Sequence, residues 1–167
     1  RIAFTLLLPV GFQLAAFYGS WSIHGTVMLV VWAGSLTWLG INVWGYHRQG
    51  TAAGDRMRVI DQRIRWLLAP TLIAFGAWSV VNDSPIATTF IAWKVIVFGC
   101  MIVVGLVLRA IMRQWAVGFR RLASEGPSPA VNALFTQSLG KARYVAFLMW
   151  SLSGVMAILG IAQPASI

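Results

Sequence analysis

Long apolar runs alternate with short segments that hold almost all of the positive charge, and this sorting leaves the chain one class of fold. Of its thirteen cationic side chains, Arg48, Arg56, Arg58, Arg63 and Arg65 fall in residues 46–65. Arg109, Arg113, Arg120, Arg121, Lys141 and Arg143 fall in residues 109–143. The polar connection at residues 82–89 carries only Asp83. This is the positive-inside pattern of a polytopic membrane protein. It places the two basic segments on the cytoplasmic side, and residues 82–89 and the C-terminus outside. A bacterial inner (cytoplasmic) membrane is the expected location.

The rest of the composition agrees. The chain is 59% hydrophobic and 10% charged, against about 25% charged in a soluble domain. A crossing helix needs about 20 apolar residues. Spans are expected at residues 23–45, 66–82, 90–112 and 142–162. Sheets with open edges are excluded, because their backbone groups would go unsatisfied in hydrocarbon. The expected fold is therefore all-α, an integral membrane helical bundle in a single domain over residues 1–167. The net charge of +9 is assigned to topology and to anionic lipid at the cytoplasmic face, not to nucleic acid. Cys100 stands alone in an apolar run and is read as packing.

Residues 2–18 are apolar but short, and Pro9, Gly11 and Gln13 interrupt them. They are read as a fifth membrane helix, with the hydrophobic region of a signal sequence as the other reading. As the sequence opens on Arg rather than Met, residues upstream of Arg1 are expected.

Local signals extend three of the spans into the basic segments. Asp55 is placed to cap a helix that runs through Arg56 to Arg65 into the second span. Asp61 lies three residues from Arg58 and four from Arg65, so both pairs share a helix face. Each is expected to act as a weak surface pair. Pro70 is expected to bend the second span. Beyond residue 112, Trp115, Phe119 and Leu122 follow Ile111 and Met112 on one broad side, away from Arg113, Arg120 and Arg121. This predicts a helix that ends lying along the membrane surface. Ser128 before Pro129 predicts a new helix start leading into the last span.

Tryptophans 21, 44, 66, 78, 93 and 115 match aromatic belts at the two interfaces. Trp32, Trp38 and Trp150 lie deeper, where packing or lipid contact competes with lining a flat cofactor. Gly34, Ser35, Gly40, Gly99, Gly105, Ser151, Ser153, Gly154 and Gly160 are expected to let helices approach closely.

Two ionisable residues fall at spans and are the candidates for chemistry. His24 lies at the start of the first clear span, and Lys94 four residues into the third. Both are expected near the outer face. The structural alternatives are a His24 bonded to a loop carbonyl, and a Lys94 that snorkels outward to Asp83. His47 lies on the basic segment and is expected in solvent. The four acids, Asp55, Asp61, Asp83 and Glu125, all fall in loops or on loop-side helix. With no membrane-embedded acid as a proton relay, a proton-coupled transporter acting alone is disfavoured. Phosphate-binding glycine loops, paired-cysteine motifs and HExxH are absent from the sequence.

The run HGTVMLVVWAGSLTWL resembles the first helix of the copper-resistance protein D superfamily, which includes the HemJ-type protoporphyrinogen oxidases. AWKVIVFGCMIVVGLVLR resembles their third helix. The match is loose and covers roughly residues 20–162. It implies a link of His24 to haem or copper, and it matches Lys94 to the family's lysine. HemJ-type proteins carry further histidines; here the corresponding stretch reads Cys100, Met101, Val104, Gly105. A bis-histidine haem b held by this chain alone is thereby excluded. A His24/Met156 haem stays open, as does copper held by His24 and Met28, since thioether with imidazole suits that metal. Isolated Met in apolar helices is more commonly packing.

Two functions from different classes follow. The first is a non-catalytic accessory subunit of a larger electron-transfer or energy-converting membrane complex, with other membrane subunits as partners. The alternative is a haem- or copper-associated redox protein like the resembled superfamily, with Lys94 contacting a propionate or other anionic group. The shortage of intramembrane polar groups favours the accessory subunit.

Overall fold

The computed structural model describes residues 2–17 and 25–163. It is an all-α bundle of five helices: α1 (Ile2–Phe17), α2 (Thr26–His47), α3 (Ala52–Asn82), α4 (Thr89–Glu125) and α5 (Pro129–Ala162). All but α1 are long and apolar enough to cross a membrane. Each helix packs on its neighbour in sequence, and α3 against α4 is the most extensive contact.

The helix starts follow from local chemistry. Thr51 caps α3, its hydroxyl accepting the Gly54 N–H at 3.2 Å. Asp55 is therefore not the cap but lies in the first turn, where a carboxylate suits the helix dipole. Gly54 is required there, because a Cβ would collide with the Arg48 carbonyl. Ser128 caps α5 as its sequence predicts, accepting the Val131 N–H at 3.3 Å, with Pro129 opening the helix. Pro70 stands inside α3 without ending it.

The α3–α4 contact is a backbone approach. A Cβ on Gly76 would stand 2.6 Å from Ile96 Cγ1, and one on Gly99 would stand 2.7 Å from Ile73 Cγ1. Ala69 and Ala92 fill the same seam and are fully buried. Around it, Leu72, Phe98, Ile102 and Leu106 form the central core, covered by Phe4, Leu8 and Phe12 of α1. Phe4 stacks on Phe98 with ring centroids 5.0 Å apart. The short α1 is thus docked on the bundle as a fifth helix. Gly34, Gly40 and Gly154 face open space instead, and Gly105 meets only the end of Met149.

At the basic end, α4 continues past the third span, as its sequence predicts. Its 37 residues form one continuous helix, about 55 Å long at 1.5 Å per residue. Its last turns pack on the start of α5. Trp115 donates its indole N–H to Ser138 Oγ at 2.8 Å. Phe119 and Phe135 lie 5.1 Å apart. Gly118 leaves room for the Phe135 ring. The apolar side expected to meet lipid headgroups is used partly to close this α4–α5 hairpin.

Candidate functional site

Asp61 is 3% exposed and is the junction of three helices. On α2, Trp38 donates its indole N–H to Asp61 Oδ1 at 2.8 Å. One turn along α3, Arg65 donates Nε–H to Oδ1 at 3.0 Å and to Oδ2 at 3.2 Å. From α4, Arg109 donates Nη2–H to Oδ2 at 2.8 Å. The Arg65 guanidinium also sits 5.0 Å from the centre of the Trp38 ring, at cation–π range. A buried carboxylate needs partners on both oxygens, and here donors from all three helices supply them.

The expected surface pair of Asp61 with Arg58 is not formed. Arg58 bonds Asp55 instead, at 3.3 Å between exposed groups. The expected pair with Arg65 is formed, but it is buried rather than at the surface. Two of the three partners were missed because they lie 23 and 48 residues away in sequence. The available signal was the single acid in a turn bordered by arginines, with Arg109 closing the third span.

A small open notch adjoins this network, lined by Ile41, Asn42, Gly45, Met57, Arg58, Asp61 and Arg109. Beside it, Arg113 donates to the neutral Gln62 Oε1 at 2.6 Å.

Of the residues singled out for a cofactor, Met28, Lys94 and Met156 lie toward the other end. His24 is outside the described residues, as is Trp21. Met28 is half-buried near the start of α2. The Lys94 side chain turns toward α5, and its Nζ is 2.8 Å from where a Cβ on Gly160 would stand. It also lies 5.8 Å from the centre of the Phe90 ring. Among the described residues it makes no ion pair, so the expected bridge to Asp83 is not formed. Met156, four residues before Gly160 and hence on the same face of α5, packs on the central core. Among the described residues no cluster of three His, Cys, Asp or Glu could hold a metal. Cys100 is a free, half-buried thiol.

The deep tryptophans separate into three roles. Trp32 donates to Gln13 Oε1 of α1 at 3.1 Å, Trp38 holds Asp61, and Trp150 is 77% exposed on α5. Trp44, Trp66 and Trp78 also point outward. His47 is exposed as expected, its Nδ1 3.0 Å from the Val43 carbonyl. Comparison with protein-family models, curated proteins and solved structures finds no match to this chain.

Proposed function

We propose that the chain is a non-catalytic accessory subunit of a larger membrane complex, its basic end at the cytoplasmic face of a bacterial inner membrane. The observation that supports this is the occupation of Asp61. The most buried carboxylate among the described residues is tied on both oxygens to Trp38, Arg65 and Arg109. It braces α2, α3 and α4 and has no oxygen left to relay protons. The long α4–α5 hairpin adds a basic platform at the same end. On α5, Tyr144, Phe147, Trp150 and Ile158 form outward apolar surface available to neighbouring helices or lipid.

A second reading has one observation in its favour. Lys94 is a half-buried ammonium in an apolar helix, with a phenyl ring beside it and no carboxylate paired to it among the described residues. Such a group suits an anionic ligand near the outer face. That would be a propionate in a haem protein of the copper-resistance protein D type, with His24 as ligand and Met156 or Met28 as the second donor.

One preparation tests both. The chain is extracted from its native membrane in mild detergent and sized on a native gel. Its oxidised and dithionite-reduced spectra are then recorded, with copper and iron counted on the same sample. The accessory reading expects migration within a larger assembly and a colourless, metal-free isolated chain. A Soret band or stoichiometric metal that vanishes in His24→Ala replaces it with the cofactor reading.

A further inference from the structure

The notch beside Asp61 joins an apolar wall to an excess of positive charge that the brace does not require. It opens between α2, α3 and α4, about 10 Å³ inside, with Ile41 and Met57 as its apolar wall and Asn42, Arg58, Asp61 and Arg109 as its polar lining, the Asp61 oxygens being already taken by Trp38, Arg65 and Arg109. Among the described residues its charge is not balanced: the guanidiniums of Arg58, Arg65, Arg109 and Arg113 stand around two carboxylates, Asp55 and Asp61. Among the described residues Arg113 meets a neutral amide oxygen and no carboxylate. Arg58 shares Asp55 in an exposed and hence weak pair. Arg109 engages Asp61 through Nη2 alone, which leaves most of its five donors available.

Depth selects the ligand. Arg109 follows Thr89, the first residue of α4, by a stretch of helix about 30 Å long. That equals the hydrocarbon thickness of a bilayer, about 30 Å. A helix entering one interface at Thr89 therefore sets Arg109 at the opposite one, at the level of lipid phosphates. Basic pockets between helices at that level bind anionic headgroups, and guanidinium donors match phosphate oxygens in pairs. We propose that the mouth of this notch binds the phosphate of an anionic phospholipid headgroup, with Arg58 and Arg109 as donors and the acyl chains leaving past Ile41, on the membrane side. The site rests on the membrane placement of the basic end in the accessory reading. It does not depend on which complex the chain joins.

The test is native mass spectrometry of the full chain in mild detergent. Phosphatidylglycerol, phosphatidylcholine and inorganic phosphate are titrated separately. Phosphatidylglycerol is expected to be retained over phosphatidylcholine, with a loss of about tenfold in Arg58→Gln, the size of one charge-assisted hydrogen bond. Arg109→Gln also removes a brace and can unfold the chain, so exposed Arg58 carries the test. Arg120→Gln with Arg121→Gln, on the hairpin away from the notch, is expected to retain the lipid. Equal retention of the two lipids, an unchanged Arg58→Gln, or an equal loss in the hairpin variant overturns the site. Inorganic phosphate binding as tightly as phosphatidylglycerol overturns the lipid as its source and leaves a free-anion notch. Failure of the accessory reading shows instead on the native gel, as a chain that runs alone.

Discussion

Asp61 is the residue on which the arrangement of the bundle turns. Its pairing with Arg65 was readable four residues apart, because helical spacing alone brings the two together. The burial of that pair was not readable. It depends on Trp38 and Arg109 arriving from other helices, and no local rule encodes that. Removing one member of a buried ion pair costs far more than removing a surface one, since the partners stay buried with their charge uncompensated. Asp61→Asn, which leaves Arg65 and Arg109 facing a neutral amide, is expected to cost about 3 kcal/mol. Trp38→Phe removes one donor to a charged acceptor and is expected to cost about 2 kcal/mol. Thermal unfolding in detergent reads both. An Asp61→Asn protein that melts with the wild type would show that the network holds nothing together.

Among the elements, α3 and α4 make the seam on which the others are laid. Gly99 was foreseeable as a point of close approach; its counterpart Gly76 carried no separate signal. The two matter together because each faces the other helix's backbone, with Ala92 O 2.9 Å from a Cβ on Gly76 and Ala69 O 3.0 Å from one on Gly99. Gly99→Val must push the helices apart and is expected to cost about 1–3 kcal/mol, the usual range for overpacking. Gly154→Ala, facing open space on α5, is expected to leave the unfolding temperature unchanged. A Gly99→Val melt equal to that of Gly154→Ala would contradict the tight seam. Sequence reasoning treated these glycines as one class. Their neighbours, which only packing defines, divide them.

For the whole molecule, the sorting of charge predicts an orientation. With Cys100→Ser as background, a cysteine placed at Arg120 is expected to resist a membrane-impermeant maleimide in intact cells and to react after lysis. A cysteine at the exposed Asp83 is expected to react in intact cells. The reverse pattern would invert the protein and move the notch to the outer face. The α4–α5 hairpin also belongs to this scale. Arg113, Arg120, Arg121, Lys141 and Arg143 lie exposed along its arms, while Trp115, Gly118 and Phe135 lock the arms together. It is one basic extension in which α4 and α5 are paired.

Sequence by itself determined the helical class, the four apolar spans, the start of α5 at Ser128 and Pro129, and the gathering of cations at one end. Each of these depends on neighbours within a few residues or on the mean polarity of a run, and a linear chain carries both. Only the tertiary structure decided that Asp61 is a buried junction and that Lys94 turns to Gly160 rather than Asp83. It alone decided that Met156 packs on the core and that the end of α4 pairs with α5. Each of those outcomes is set by groups tens of residues apart, and what brings them together is the packing of one helix against the next.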